Sequence, residues 1–136
     1  DFDSQFLLIF NLMIITIISF DIFSYFCGVT LGKIKLFKKI SPNKTLEGLI
    51  GGIIFSILIS IFYLYYFEIK ITYYKSFFIL LIILTSLFGD LIESIFKRLN
   101  NLKNSSNLLP GHGGFFDRFD SFVLSIITYS FLYNLI

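Results

Sequence analysis

The sequence predicts an all-α fold: a polytopic integral membrane protein of about four transmembrane helices. Three observations carry this. Of the 136 residues, 56% are hydrophobic and 20% aromatic, and mean hydropathy is +0.84, above the roughly half-apolar usage of soluble domains. The apolar residues come in blocks near bilayer-spanning length and not at amphipathic spacing. All but Lys70 and Lys75 of the 11 basic residues fall in or beside two of the connections between those blocks.

The first block runs from Phe6 to Phe26 and is interrupted by Asp21. The second is Leu49 to Phe67, and the third, Phe77 to Phe96, carries Asp90 and Glu93. The fourth, Phe115 to Ile136, has Asp117, Arg118 and Asp120 at its start. Each is about 20 residues, roughly 30 Å of helix, which matches the hydrocarbon core. In lipid every backbone N–H and C=O needs an internal partner, so helices are expected despite the many β-branched isoleucines.

The connection from Gly32 to Gly48 holds Lys33, Lys35, Lys38, Lys39 and Lys44; that from Lys97 to Asp117 holds Lys97, Arg98 and Lys103, with Arg118 just beyond. The positive-inside rule puts both in the cytoplasm. Asp1 and Ile136 then fall on the opposite side, and the two basic loops meet on one membrane face. Ser41-Pro42 and Pro110-Gly111 read as turns. The single cysteine, Cys27, excludes an internal disulfide and leaves no cysteine cluster for zinc.

Polar residues inside such blocks are costly, so they point to function. In "GDLIESIFKR", residues 89 to 98, Asp90, Glu93, Ser94 and Lys97 share one helical face. A Glu93–Lys97 ion pair is the plain reading of part of that face. In "DRFDS" the residues Asp117, Asp120 and Ser121 share another, at the start of the last block. Capping by the helix dipole explains Asp117 but less easily Asp120 as well. Three or four carboxylates at one depth repel one another unless a cation lies between them, and hard oxygen ligands select Mg2+ over zinc. Asp90, Asp117, Asp120 and Glu93 are therefore the metal-ligand candidates.

"GHGG", residues 111 to 114, offers backbone N–H groups beside a helix start, a place suited to phosphate oxygens. His112, the one histidine, can bind or protonate phosphate there. In "KLFKKISPNKTLEGLIGG" two readings stand side by side. Lysines at a membrane face enforce topology or attract anionic lipid; Ser41, Asn43, Lys44 and Thr45 also form a polar cluster suited to polyphosphate. Gly48 and Gly52 equally permit close helix packing.

These residues resemble the phosphatidate cytidylyltransferases, also called CDP-diacylglycerol synthases. The family signature is matched by Ser94, Lys97, Arg98 and Lys103, then Pro110, His112, Gly113, Gly114, Asp117, Arg118, Asp120 and Ser121. Upstream, "KISPNKTLEGLIGG" resembles the family's other recurring segment, and Asp21, "YFCG" and Gly32-Lys33 resemble the stretch before it. Two positions depart from the pattern. Asn104 stands where an acidic residue is usual, and Ile22-Phe23 follow Asp21 where Thr-Gly is common.

The resemblance implies transfer of cytidylyl from CTP to phosphatidate, giving CDP-diacylglycerol and pyrophosphate. Mg2+ is the implied cofactor, with a monovalent cation such as K+ admitted beside it. Metal binding falls to Asp90, Asp117 and Asp120, with Glu93 and Asp21 as further candidates. Lys44, Lys97, Arg98, Lys103 and Arg118 neutralise phosphates; His112, Gly113 and Gly114, with Ser41, Lys44 and Thr45, hold the nucleotide or pyrophosphate. The expected partners are CTP, phosphatidate and membrane lipid, with a homodimer admitted and no nucleic acid. Family members are longer, so residues 1–136 look like a single transmembrane catalytic domain, the C-terminal part of a larger architecture, with its site facing the cytoplasm. The competing readings are a related CTP-dependent lipid transferase or kinase, a transporter using the intramembrane carboxylates, and an inactive remnant.

Overall fold

The computed structural model describes residues 2–37, 40–99 and 116–132, with side chains described at 5–37, 40–99 and 121–132. Four helices carry the fold. Helix α1 spans Phe2–Leu31, α2 Leu46–Tyr66, α3 Tyr73–Leu99 and α4 Phe116–Leu132. Three segments are long and apolar enough to cross a membrane: Gln5–Leu31, Leu46–Tyr66 and Tyr73–Leu99, with mean hydropathies of 2.4, 2.1 and 2.1. Ser121–Leu132 is a shorter apolar helix.

The helices extend past their apolar blocks because nothing in the flanks breaks them. α1 continues through Cys27, Gly28 and Thr30 to Leu31, and α3 through Lys97 and Arg98, whose charges favour a helix C-terminus. α2 starts where Thr45, in extended backbone, caps it: the Thr45 hydroxyl accepts from the Gly48 N–H at 3.1 Å. α2 ends at Phe67 and Glu68, and the Glu68 φ of 54 is a left-handed value that turns the chain toward α3.

Between α1 and α2 lies an antiparallel hairpin, β1 (Lys35–Phe37) and β2 (Ser41–Thr45), pairing Lys35 with Thr45 and Phe37 with Ser41. This corrects the expectation of a turn at Ser41-Pro42, and adds a small sheet to an otherwise helical fold. The turn precedes Ser41, with the Ile40 N–H donating to the Phe37 carbonyl at 3.2 Å. Pro42 is tolerated because each strand of a two-stranded sheet has an unpaired edge, where no N–H is required.

α1 packs most extensively on α2, and α3 on α4. Apolar burial does not drive helices together in lipid, so close contact and interhelical hydrogen bonds must. At Gly48 a Cβ would stand 2.6 Å from the Ser24 carbonyl oxygen and 3.0 Å from the Gly28 Cα, so the α1 and α2 backbones meet with no room for a side chain. Of the two sequence readings of Gly48, helix packing is the one this contact supports. Deeper in the pair, the fully buried Thr16 and Ser60 hydroxyls share a 2.8 Å hydrogen bond. The Tyr63 hydroxyl donates to the Leu8 carbonyl at 3.1 Å.

Thr85 and Ser125 join α3 to α4 at 3.2 Å. Tyr129 ties α4 to α1 by donating to the Phe6 carbonyl at 3.2 Å, within an edge-on ring cluster that includes Phe10 and Phe78. The core is built around Leu12, Met13, Ile17, Leu64, Phe78 and Ile82. The Tyr63–Leu8 and Tyr129–Phe6 contacts hold the bundle at the start of α1, and the hairpin sits at the other end, beside the Gly48 seam.

Candidate functional site

A cavity of about 730 Å3 opens at that end. α1 contributes Phe20, Asp21 and Tyr25 to its wall; β2 contributes Ser41, Lys44 and Thr45; α3 contributes Leu87 and Asp90; α4 contributes Ser121. The lining is therefore mixed: Phe20, Tyr25 and Leu87 give it apolar surface, while Asp21, Asp90 and Ser121 put polar groups on the helical side as well as on the hairpin. Depth follows from helix geometry. Asp21 and Asp90 each lie two to three turns before the end of their helix, roughly 13 to 15 Å along the axis at 1.5 Å per residue. Both carboxylates are thus held well inside the span of the bundle while remaining on a water-sized space.

Each has a partner. The Lys44 ammonium forms an ion pair with the Asp90 carboxylate. With the Lys44 and Asp90 side chains 22% and 34% exposed, the pair is reachable by solvent and its net worth is of order 1 kcal/mol or less. It holds the two residues together without locking them. The Ser121 hydroxyl, itself buried, donates to Asp21 Oδ2 at 3.2 Å, bringing α4 onto the same wall.

Other residues singled out by the sequence fall differently. Glu93 and Lys97 pair with each other at 3.2 Å within α3, the ion pair that their i, i+4 spacing suggested. Neither is among the residues lining the cavity. Arg98, expected on phosphate, donates from Nε to the Ile40 carbonyl at 3.2 Å and so clips the hairpin turn to the end of α3. Thr45 lines the cavity but already spends its hydroxyl capping α2.

Lys103, His112, Gly113 and Gly114 lie outside the described residues, and Asp117, Arg118 and Asp120 belong to α4 with side chains outside them. Among the described residues no group of three or more His, Cys, Asp or Glu side chains is placed to hold a metal ion. Asp21 and Asp90 are the described carboxylates on the cavity. Asp21, a further metal-ligand candidate beside Glu93, gains the Ser121 hydroxyl through the packing of α1 against α4. Glu47 carried no role in the sequence, although Thr45 three residues before Gly48 is a visible helix-start signal.

The model of the cytidylyltransferase family matches residues 1–136, the whole chain. The chain belongs to that family. Among curated relatives, the phosphatidate cytidylyltransferase of Bacillus subtilis (strain 168) is 42% identical over 125 residues, covering 90% of this chain and 45% of the relative. The phosphatidate cytidylyltransferase of Staphylococcus haemolyticus (strain JCSC1435) is 45% identical over 106 residues, covering 76% of this chain and 40% of the relative. That of Staphylococcus aureus (strain COL) matches at the same identity and coverage. The chain spans less than half the length of the curated relatives it matches. As a cytidylyltransferase-family chain with three helices apt to cross a bilayer, it is an integral membrane protein. The Arg98–Ile40 contact joins the start of the second basic segment to the hairpin that carries Lys44.

Proposed function

We propose that this chain carries the site of cytidylyl transfer from CTP to phosphatidate, producing CDP-diacylglycerol and pyrophosphate at the cytoplasmic face of the membrane. The observation that carries the proposal is the meeting of Lys44 and Asp90 beside Asp21 and Ser121 on one cavity, reached from four separate elements. Support also comes from the family match over the whole chain and from relatives named for this activity. The basic segments at that end of the bundle favour a cytoplasmic orientation.

In the reaction a phosphate oxygen of phosphatidate attacks the α-phosphorus of CTP. The bond from that phosphorus to the bridging oxygen breaks, and pyrophosphate leaves with the electron pair. Phosphatidate is already an anion at neutral pH, so no general base is obligatory. The task is to bring two polyanions together and steady the charge on the departing group. Lys44 is placed for this. Because its ion pair with Asp90 is weak and solvent-reachable, a polyphosphate can draw the ammonium away from the carboxylate. Lys35, also on the lining, adds positive charge along the same strand pair.

The donor chemistry fits Mg2+, which is held by one or two carboxylates together with substrate phosphates. Asp90 and Asp21 offer hard oxygens on the cavity, and the Lys44 ammonium beside Asp90 marks a position that takes positive charge. Asp117 and Asp120, at the start of α4, would complete such a set. When bound, the ion would neutralise phosphate charge and polarise the α-phosphoryl group. The mixed wall suits the lipid substrate, with Phe20, Tyr25 and Leu87 beside the polar hairpin residues.

The test is incorporation of label into lipid by the reconstituted protein, offered phosphatidate or an isoprenoid alcohol in parallel reactions with CTP labelled at its α- or its γ-phosphate. The α-label should enter chloroform-soluble product with phosphatidate alone. Transfer of the γ-phosphate to the alcohol, with none of the α-label in lipid, would replace this reading with a kinase.

A further inference from the structure

β1 and β2 would add a further backbone rung below Lys35–Thr45 if β2 continued, but at Leu46 the chain turns into α2. One link survives there: the Leu46 N–H donates to the Ile34 carbonyl at 2.9 Å. The N–H groups of Lys33 and Ile34 then face a helix in place of a strand, and helix carbonyls point along the axis away from them. The Glu47 carboxylate takes up both. Oε2 accepts from the Lys33 N–H at 3.0 Å and from the Ile34 N–H at 3.2 Å, with Oε1 at 3.3 Å from Ile34. Hydrogen bonds to a carboxylate are stronger than neutral ones, and here one side chain stands in for the strand that α2 interrupts.

Its place in the chain gives this contact reach. Glu47 is three residues from Lys44, on the helix start that continues β2 directly, while Lys33 and Ile34 lead into β1. Closing the hairpin base therefore fixes both strands against the end of α1. Gly32 makes the seam tight, since a Cβ there would stand 2.7 Å from Thr45 Cγ2. Among the described residues, the turn end of the hairpin is held by the Arg98–Ile40 contact, and Lys44, next to its base, by the weak pair with Asp90.

From this we infer that Glu47 is a positioning residue: its carboxylate, bridging the Lys33 and Ile34 amides, sets the hairpin so that Lys44 stands over the cavity beside Asp90. The inference rests on the cytidylyl-transfer reading for its functional consequence, whereas its structural half stands without it.

The competing explanation is that an acidic residue in the first turn merely complements the α2 dipole. Glu47→Asp separates the two, because it keeps the charge at the helix start but shortens the reach by one methylene. Amide hydrogen exchange on the full protein in lipid nanodiscs should rise about 10- to 100-fold at Lys33 and Ile34 in Glu47→Asp and Glu47→Gln, as expected for a lost charged hydrogen bond, with the α3 amides unchanged. Wild-type exchange in Glu47→Asp overturns the bridging role whether or not any transfer activity is found. On activity, both variants should raise the KM for CTP by about tenfold or more with little change in kcat. In the background of Lys44→Gln, Glu47→Asp should add almost nothing, since neighbours acting through one group are not additive. Full additivity of the two substitutions overturns the route through Lys44, while absence of all transfer in the wild type counts against the proposed function instead.

Discussion

Lys44, on the second strand of the hairpin, forms an ion pair with Asp90, deep in α3, and this contact joins the first basic segment of the sequence to one of its intramembrane carboxylates. Neither residue explains the other within its own element. The pair exists because α1 and α2 approach closely enough to fold the hairpin over the bundle end, where α3 delivers Asp90.

If Lys44 holds nucleotide phosphate, Lys44→Gln should raise the KM for CTP by about 10- to 100-fold, the cost of one charge-assisted hydrogen bond. Lys44→Arg should keep most binding but misplace it, since a planar fork does not reproduce a point charge. Steady-state kinetics over a range of CTP concentrations checks both.

Arg98 bonds to the Ile40 carbonyl, so its expected effect differs from that of a phosphate ligand. Arg98→Ala should lower activity only several-fold and raise amide exchange in residues 40–45. A loss as deep as that of Lys44→Gln, with exchange unchanged, would return Arg98 to the substrate. The measurement is paired kinetics and exchange on the same preparation.

Gly48→Ala should destabilise the protein by about 1 to 3 kcal/mol, the usual cost of overpacking, because the atoms it meets are the Ser24 carbonyl and Gly28 Cα and cannot swing aside. Gly52→Ala should cost less, since the nearest atoms there are the Ser24 Cβ and the Phe20 ring at 2.9 and 3.1 Å. Unfolding in mixed micelles orders the two.

Thr16 and Ser60 share a hydrogen bond at full burial. Ser60→Ala should cost roughly 0.6 to 2 kcal/mol of helix-pair stability. Adding Thr16→Val should cost somewhat more, because it also removes the 2.7 Å hydrogen bond that the Thr16 hydroxyl donates to the Leu12 carbonyl. A double-mutant cycle in the same micelle assay reads the coupling.

Much of this architecture is legible in the sequence, and the physics says why. Spans are visible because lipid demands helices of fixed length, so the blocks around Met13, Ile57 and Ile82 announce themselves. The Glu93–Lys97 pair is equally visible, since i, i+4 spacing on one helix determines it. The hairpin is not. β1 is three residues long, and Pro42, which ordinarily signals a turn, sits on a strand edge that has no need of its N–H. The partner of Asp21 is hidden for a related reason: its hydrogen bond comes from Ser121, 100 residues away, and local pattern carries no trace of that. Glu47 acts through backbone amides, and no residue type marks an amide as needing a partner.

The central claim is that Asp90, with Lys44 and Asp21 around it, forms the reacting site. Its most direct test is the rate of α-labelled CTP transfer to phosphatidate by Asp90→Asn, in a preparation whose folding is verified by unchanged amide exchange in α1 and α2. Transfer should fall about 100-fold or more, the scale of losing a principal electrostatic contact at a reacting centre. Turnover within a few-fold of wild type in that folded variant would contradict the claim.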